Sequence, residues 1–368
     1  MSEARNLIAQ LTSLSQQSDF DTNAATLAST LHLAKQLQLA TQKPEDAAIE
    51  LCFHVGPLHE RDKLVAGQAS GVSATGLAEE SGCKENLLVR LLRPLSALDF
   101  VQEASEDLWT PTPITKAMCL PPVEAAHIHF WDQGTTAAVK MPAYFKKTAY
   151  RQPEDPRDGL FQYSFGTDKE AFEFWSLQPA VIDNFNTCMT GIRGSRPSWI
   201  EWWPVEQRIL NEGLSNEPSE VLLVDVAGGR GHDVQAFGKK FEACKGRLVL
   251  EDLPAVIGDI KQLDERVERV EYDFFTSQPI VGILSRTAAA MKPGYSKLLL
   301  NDFILPNRDC PLFPTGFDLQ MMAMHAAQER TESQWQNLLE TAGLKLVQLW
   351  IPPGGGEGIV EAELPPTH

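Results

Sequence analysis

The sequence predicts an α/β protein in which a parallel sheet, covered by helices on both faces, follows a helical N-terminal domain. Three observations predict this fold class. Apolar strands alternate with helical segments from residue 221 onward. A glycine-rich turn follows the first of these strands, and a helix, a turn, a second helix and a hairpin succeed one another over residues 72–116. The length of 368 residues is enough for two or more domains of ~150 residues.

Residues 1–50 are expected to form helices. Leu27, Leu31, Ala34 and Leu37 recur at helical spacing and produce one apolar stripe. This stripe can pack either on a second subunit or on the core of the same chain, and the sequence leaves both possibilities open.

Residues 72–116 have the pattern of a winged helix. Ser73 and Thr75 can cap a first helix, and Gly82 can turn the chain into a second one. Two short strands around an acidic tip then form the wing. The leucines of the second helix are expected to face inward: Leu87, Leu88, Leu91, Leu92 and Leu95.

A winged helix usually reads DNA, but the charge of this chain argues against that use. Lys and Arg number 32 against 49 Asp and Glu, which gives a formal net charge of −17. Such a surface repels phosphate backbones and anionic lipid headgroups, so we expect neither a nucleic-acid partner nor a membrane partner. The winged helix is therefore not expected to read DNA.

Features of the chain indicate a cytoplasmic protein. No apolar run reaches the ~18 residues of a membrane helix, and the N-terminus lacks the apolar segment of a signal peptide. The six cysteines are scattered and form no C-x-x-C pair. This spacing predicts reduced thiols and no metal site.

Residues 117–220 are expected to be mostly helical and are rich in aromatic side chains. Core packing explains most of these rings, while some are candidates to line an apolar pocket for a flat substrate. The rings are Phe161, Tyr163, Phe165, Phe172, Phe174, Trp175, Phe185, Trp199, Trp202 and Trp203.

The C-terminal third of the chain predicts the sheet. Buried strands are expected at 221–226, 247–250, 267–272 and 297–300, followed by a helix at 331–342 and strands at 344–351 and 358–364.

The first strand ends in a glycine-rich loop, Asp225-Val226-Ala227-Gly228-Gly229-Arg230-Gly231-His232, which opens the next helix. A doubly wound sheet places its ligand loop here. Gly228, Gly229 and Gly231 would let the backbone approach a ligand closely. A tight strand-to-helix turn without a ligand is the simpler alternative.

Acids at the ends of the next two strands favour a nucleotide cofactor. Asp252 ends the second strand, where a carboxylate can accept hydrogen bonds from both ribose hydroxyls. Asp273 ends the third strand and could pair with an adenine amino group, while Phe274 could stack on the base.

Two cofactors compete for this loop. A nicotinamide site requires G-x-G-x-x-G, and its third glycine is absent here. The loop is closer to the S-adenosylmethionine motif D-x-G-x-G-x-G, with Ala227 in place of the first glycine. Asp225 also suits a cationic sulfonium better than an anionic pyrophosphate. S-adenosyl-L-methionine is therefore the expected cofactor.

Motifs throughout the chain carry a resemblance to a known family. They are Leu91-Leu92-Arg93, Thr112-Pro113-Ile114-Thr115-Lys116, Phe165-Gly166-Thr167-Asp168-Lys169, Phe172-Glu173-Phe174-Trp175, Asp252-Leu253-Pro254, Ala290-Met291-Lys292-Pro293-Gly294 and Glu329-Arg330-Thr331. The chain resembles fungal members of the plant-type small-molecule O-methyltransferases, the caffeate and flavonoid group. The resemblance implies a Rossmann-like class I methyltransferase sheet, a homodimer, S-adenosylmethionine, and methyl transfer to a hydroxyl of a small aromatic or polyketide substrate.

The resemblance also suggests domain limits. We expect a helical, winged-helix dimerisation domain at 1–120 and a helical connector with the substrate-pocket region at 121–220. The S-adenosylmethionine-binding domain would occupy 221–368.

The family's catalytic base is the histidine of a His-Asp-Trp motif, flanked by two acids. The acids map onto Asp302 and Glu329, but no His-Asp-Trp occurs in this sequence. The chain passes from Gly282 directly to Ile283, where the family has a strand and its catalytic loop. The sheet is therefore expected to lack one central strand beside the first. A second departure lies at 54–66, where a Gly-Pro pair and charges replace an apolar helix.

Other histidines are candidates to replace the base. His325 precedes Glu329 by one helical turn and would share a face with it if 319–329 is helical. His127 and His129 lie where the family approaches its substrate, and His232 lies closer to the cofactor. Packing roles are an alternative for each of them.

Three functions follow from these expectations. The first is an O-methyltransferase of secondary metabolism acting on a phenolic or polyketide-type compound. The second is a cyclase or pericyclase that binds the cofactor without methyl transfer. The third is a catalytically degenerate partner protein.

Overall fold

The structure is a computed structural model, and it describes residues 2–18, 20, 22–51, 65–67, 70–194, 198–210, 217–272, 279–352 and 356–365. The chain divides into two compact units. The first unit comprises residues 1–195 and 316–328, and the second comprises 196–315 and 329–368. The expected division at residues 120 and 220 stays a prediction.

The first unit begins with helices, as expected for residues 1–50. They are α1 (Glu3–Ser15), α2 (Ala24–Thr41) and α3 (Pro44–Leu51). The Asn23 side chain caps α2 by accepting hydrogen bonds from the backbone N–H groups of Ala25 and Thr26. Leu31, in the predicted apolar stripe, is 74% exposed.

The winged helix is present. Its elements are β1 (Val72–Ser73), α4 (Ala74–Ser81), α5 (Glu85–Ala97), β2 (Val101–Ser105) and β3 (Leu108–Pro111). The Ser73 hydroxyl accepts a hydrogen bond from the Gly76 N–H at 3.0 Å, and Gly82 ends α4 with a φ of +67°. The strands form an antiparallel sheet in the order β1-β3-β2.

One residue of the expected inward face of α5 points outward. Leu88, Leu92 and Leu95 are buried, but Leu87 is 48% exposed. The 3.6-residue period explains this difference, because Leu87 lies about 100° around the helix from Leu88. Its inward placement in the sequence analysis was wrong.

Helices complete the first unit. They are α6 (Pro113–Met118), α7 (Pro121–His129), a π-helical turn (Phe130–Thr135), α8 (Thr136–Ala138), α9 (Met141–Lys147), α10 (Leu160–Phe165), α11 (Ala171–Ser176) and α12 (Pro179–Gly194). Helices α7 and α12 pack closely, since a Cβ on Gly191 would lie less than 3.0 Å from Pro122.

The second unit contains the sheet strands and their helices. These are α13 (Trp199–Trp202), a π-helical turn (Glu206–Leu210), β4 (Val221–Val226), α14 (His232–Lys240), β5 (Arg247–Asp252), α15 (Pro254–Asp259), β6 (Val267–Glu271), α16 (Pro279–Ala290), β7 (Lys297–Asp302), β8 (Ile304–Leu305), α17 (Leu312–His325), β9 (Arg330–Thr331), α18 (Glu332–Thr341), β10 (Lys345–Trp350) and β11 (Gly358–Glu363). The last ten residues of α17 belong to the first unit.

Strand pairing in the second unit differs from the single parallel sheet that the sequence analysis expected. Strands β4, β5 and β6 pair in parallel, and β10, β11 and β7 pair antiparallel. Among the described residues, β4 pairs only with β5 and β7 only with β11. Strand β4 is only half-buried, with Val224 41% exposed.

Apolar side chains join these strands to their helices. One cluster contains Trp199, Trp203, Phe237, Leu250 and Ile359, with Leu299 of β7 packed against it. A second cluster packs α18 against β11. Within the described ranges, none of the helices combines the length and apolar character that crossing a bilayer requires.

A buried ion pair ties the π-helical turn of the second unit to β11. Glu361 is fully buried and pairs with Arg208, while Lys297 lies 3.6 Å from the same carboxylate. The Trp350 Nε1–H donates to its other oxygen at 2.9 Å. The buried carboxylate therefore has partners for both oxygens.

Candidate functional site

The glycine loop between β4 and α14 has left-handed backbone at three positions. The φ angles are +59° at Ala227, +59° at Gly229 and +76° at Gly231. The Gly231 N–H donates to the Gly228 carbonyl at 3.0 Å, and the Ala227 N–H donates to the Glu251 carbonyl at 2.8 Å. These bonds fold the chain sharply from strand to helix, as the sequence predicted.

Gly228 is needed for the close packing of the loop on β5. A Cβ at this position would lie less than 3.0 Å from both the Asp225 carboxylate and the Leu250 side chain. Asp225 thus lies directly under the loop. The Cβ position of Gly228 therefore faces the protein, whereas that of Gly229 has no described atom within 4 Å, which leaves the loop backbone open to a ligand there.

Asp252 links the loop to the end of β5. Its Oδ2 accepts the Gly229 N–H at 2.8 Å, and its Oδ1 accepts the Leu253 N–H at 2.7 Å. The carboxylate is buried. Each oxygen can accept a second hydrogen bond, so the acid can position the loop and still receive ribose hydroxyls.

The structure thus brings together five of the predicted cofactor residues: Asp225, Gly228, Gly229, Gly231 and Asp252. The other two, Asp273 and Phe274, lie outside the described residues.

Asp302 and Glu329 form a buried carboxyl pair in the second unit. Burial raises the pKa of Asp302 above its ordinary value, although the Phe303 N–H, Arg330 and a hydrogen bond with Glu329 oppose the shift. The Phe303 N–H donates to Asp302 Oδ1 at 2.7 Å. The raised pKa makes the Asp302 carboxyl a better proton acceptor than a solvated aspartate.

His325 and Glu329 do not share the face of one helix, so the prediction that they do is wrong. Helix α17 ends at His325, and Ala326 then adopts a φ of +52°, so no helix continues to residue 329. The His325 ring instead stacks on Phe172 at 5.1 Å between centroids and meets the edge of Trp175 at 5.5 Å. Burial lowers the pKa of His325 to about 4, so this ring is neutral at pH 7.

His129 lies in the same aromatic cluster as His325. Its ring contacts Trp175 at 4.7 Å and Phe185 at 5.3 Å between centroids. Burial and the nearby His325 lower the pKa of His129 to about 4. We call the five residues His129, Phe172, Trp175, Phe185 and His325 the histidine cluster, all of which belong to the first unit.

The sequence analysis missed two buried glutamines of this region. Gln133, one turn after His129, accepts the Trp175 Nε1–H at 2.8 Å. Gln320 lies beside Gly134, where a Cβ would come closer than 3.0 Å to its amide. The sequence does carry a signal for them, because each is a polar residue in a helical segment rich in apolar residues.

Two other histidines have different surroundings. His127 Nε2 lies 2.7 Å from the Ala48 carbonyl, which ties α7 to α3. His232 opens α14 directly after Gly231. Neither belongs to the histidine cluster.

The fold and the loop define a class of protein. A glycine turn between a parallel strand and a helix, tied to the acid at the end of the next strand, is the arrangement of α/β proteins that bind a nucleotide-type cofactor. No family model matches the chain.

Comparison with known proteins identifies the family. The chain is 38% identical to the O-methyltransferase asqD of Emericella nidulans over 317 residues, which covers 80% of this chain and 81% of the relative. It is 36% identical to the O-methyltransferase penC of Penicillium thymicola over 362 residues, with 90% of each protein covered. The chain belongs to this family of fungal O-methyltransferases, and the predicted enzyme class is confirmed.

Solved structures confirm the predicted Rossmann-like class I methyltransferase fold. Structures of LepI match with a TM-score of 0.74 and 24% identity, covering 98% of this chain and 100% of theirs. One of these LepI structures is a complex with SAM. A structure described as a pericyclic reaction enzyme matches equally well, with a TM-score of 0.74 and 24% identity. OxaC in complex with sinefungin and meleagrin matches with a TM-score of 0.70 and 20% identity, covering 98% and 99%.

Proposed function

We propose that this protein transfers a methyl group from S-adenosylmethionine to a hydroxyl of a phenolic or polyketide-type small molecule in secondary metabolism. The observation that carries the proposal is the Asp252 carboxylate bound to the Gly229 N–H in a chain of this family. The absence of a side chain at Gly228 supports the proposal indirectly, because it lets the loop pack on Asp225 and Leu250 in the shape that Asp252 then holds.

The cofactor, when bound, supplies an electrophilic methyl group. Asp252 is proposed to receive the ribose hydroxyls while holding the glycine loop in place. Asp225 would lie near the sulfonium, and the glycines would let the cofactor approach the backbone. Asp273 and Phe274 are proposed to contact the adenine on the sequence pattern alone.

The acceptor hydroxyl must lose a proton during transfer. We propose Asp302 and Glu329 for this task, because the raised pKa of Asp302 favours proton uptake. The catalytic role of His325 stays a prediction from the sequence, since burial lowers the pKa of its ring to about 4 and makes it a weaker proton acceptor. Methyl transfer to an acidic phenol also gains strongly from proximity, so a weak base suffices.

Calorimetric titration with S-adenosylmethionine tests the cofactor site. Asp252→Ala should weaken binding at least tenfold, because the loop loses its anchor and the ribose loses its acceptor. Glu268→Ala is the matched control, since this partly exposed carboxylate on β6 pairs with Arg247 on the neighbouring strand β5, away from the loop. Wild-type affinity in Asp252→Ala would contradict the assignment.

Two observations favour a second function, cofactor-dependent cyclisation or pericyclic reaction without methyl transfer. The sequence contains no His-Asp-Trp, and a structure described as a pericyclic reaction enzyme shares the fold. A substrate converted to an isomer with no incorporation of labelled methyl would establish it. A degenerate partner protein would neither bind the cofactor nor respond to Asp252→Ala.

We also propose that this protein lacks the family's strand and loop with the His-Asp-Trp segment. The strand pairing fits a sheet without that strand, because β4 and β7 each have a single partner strand among the described residues. The transcript across the codons for Gly282 and Ile283 tests it. An in-frame strand with His-Asp-Trp there would overturn the proposal. Most of the second departure, at 54–66, lies outside the described residues.

A homodimer in the cytoplasm completes the proposal. The exposed apolar residues of α2 support the dimer, and the described cysteines, which form no disulfide, support a reducing compartment. Light scattering after size exclusion would give the mass, and imaging of a fluorescent fusion would give the location.

A further inference from the structure

The His129 ring is buried without hydrogen bonds. Its side chain is 2% exposed, and neither ring nitrogen has a partner among the described residues. A buried polar group left in this state costs about 1–3 kcal/mol. Native proteins rarely keep such groups unless a ligand or an ordered water supplies the missing partner.

The neighbouring histidine shows that the fold can satisfy a buried imidazole. His127, two residues earlier on α7, is also buried, and its Nε2 bonds to the Ala48 carbonyl. His129 therefore differs from a residue of the same type, on the same helix, at similar burial.

A second unsatisfied polar atom accompanies His129. Gln320 Oε1 is buried and has no partner in the described part of the chain. Its side chain lies against Gly134, in the π-helical turn that directly follows His129. The first unit thus has unpartnered polar atoms, among its described residues, on His129 and on a side chain that packs against the turn after it.

Aromatic rings surround His129. Trp175 and Phe185 contact its ring directly. Phe172 stacks on His325 and is 50% exposed, so part of the cluster is open to solvent. Flat rings with a few polar groups among them are the usual lining of a site for a planar organic ligand.

We propose that His129 is the hydrogen-bonding residue of an acceptor-substrate pocket in the histidine cluster, and that the pocket takes a planar aromatic hydroxyl compound. This inference rests on the proposed function. A neutral imidazole offers one acceptor and one donor. A phenolic hydroxyl donates to the first, and an oxygen near it on the same substrate accepts from the second.

Equilibrium dialysis with 1-naphthol and 1-methoxynaphthalene tests the proposal. The two probes share a ring system, but only the first has a hydroxyl proton. Wild-type protein should bind 1-naphthol about tenfold more tightly, the effect of one hydrogen bond of ~1.4 kcal/mol. The ratio should fall to about 1 in His129→Leu and recover in part in His129→Gln, whose amide can accept the hydroxyl.

His127→Leu is the matched control and should keep the tenfold preference. Thermal unfolding adds a readout that separates a binding role from a structural one. His129→Leu should be as stable as wild type or more so, because it removes unsatisfied polar atoms, whereas His127→Leu should be less stable. Equal affinities of the two probes for the wild-type protein, or a preference that survives His129→Leu, would overturn the proposal.

Titration with S-adenosylmethionine separates this inference from the proposed function. His129→Leu should bind the cofactor like the wild type. Cofactor binding without discrimination between the probes overturns the pocket alone. Discrimination without cofactor binding overturns the proposed methyl transfer and leaves the hydroxyl-binding role of His129 in place.

Discussion

At the scale of single residues, the glycine loop depends on Gly228. Its missing side chain lets Asp225 lie under the turn and lets Leu250 pack against the backbone. The hydrogen bond between Asp252 and the Gly229 N–H then holds the turn on the sheet. Three side chains and one missing Cβ therefore set the shape of the candidate cofactor site.

Substitution of Gly228 tests this arrangement. Gly228→Ala should weaken binding of S-adenosylmethionine at least tenfold and destabilise the fold by roughly 1–3 kcal/mol, because the new methyl group overlaps Asp225 and Leu250. Calorimetry and urea denaturation measure the two effects. Gly258→Ala is the control, since nothing lies within 4 Å of its Cβ position. Equal behaviour of the two variants would contradict the steric argument.

The histidine cluster should make stability depend on pH. The pKa values of His129 and His325 fall from 6.5 to about 4 on folding. Between these limits the unfolded chain binds more protons, so stability falls as the pH is lowered from 6.5 to 4. The slope should be about 1.4 kcal/mol per pH unit for each histidine.

Urea denaturation at pH 7, 6 and 5 measures this dependence. His129→Leu removes one of the two histidines and should flatten the curve relative to wild type. Identical pH dependence in the two proteins would show that His129 does not titrate abnormally.

Sequence motifs predicted the residues of the candidate cofactor site but not that the residues of the histidine cluster pack together. Asp225, Gly228, Gly229, Gly231 and Asp252 follow a local motif at consecutive strand ends, which is visible in one dimension. His129 and His325 are distant in the chain and meet only through tertiary packing. The lack of hydrogen-bond partners at His129 among the described residues and the lowered pKa values of both rings depend on burial, which no sequence motif encodes.

At the scale of secondary structure, the buried Glu361 links β11 to the π-helical turn that contains Arg208. Glu361→Ala should reduce the free energy of unfolding by roughly 3 kcal/mol, because Arg208 and Lys297 lose a buried counter-charge. Urea denaturation measures the change.

Glu363, two residues further along β11, provides the control for Glu361. It is partly exposed and lies 3.7 Å from Lys345. Glu363→Ala should change stability by less than about 0.5 kcal/mol. A similar loss of unfolding free energy in both variants would show that burial of Glu361 does not strengthen its contribution to stability.

The strands show which elements the sequence could predict. Their positions were correct because apolar runs and turn residues are local signals. The partial exposure of β4 was not predicted, since burial of a strand depends on what packs on the two faces of its sheet, which is a long-range property. Helix α17 ends at His325 and not at residue 329, because Ala326 adopts a left-handed backbone conformation.

At the scale of the whole molecule, the exposed stripe on α2 bears on assembly. Leu31→Glu should convert the proposed dimer to a monomer, because a charge on the apolar face opposes its burial. Light scattering at micromolar concentration measures the mass. Tyr150→Glu is the control, because Tyr150 is exposed and lies away from α2 in the sequence. A dimer that persists in Leu31→Glu would exclude this surface.

Family membership and fold were predictable because their motifs extend through most of the chain. The acceptor substrate was not, because scattered aromatic residues identify no particular ring system. The central claim is that a family member without His-Asp-Trp still transfers a methyl group.

The most direct test is incubation of the full chain with isotopically labelled S-adenosylmethionine and a panel of phenols, followed by mass spectrometry of the products. With the wild-type protein we expect the labelled methyl group on a hydroxyl of the product, and with Asp252→Ala we expect at least a tenfold lower yield of that product. A substrate that is isomerised or cyclised without acquiring the labelled methyl group would contradict this expectation.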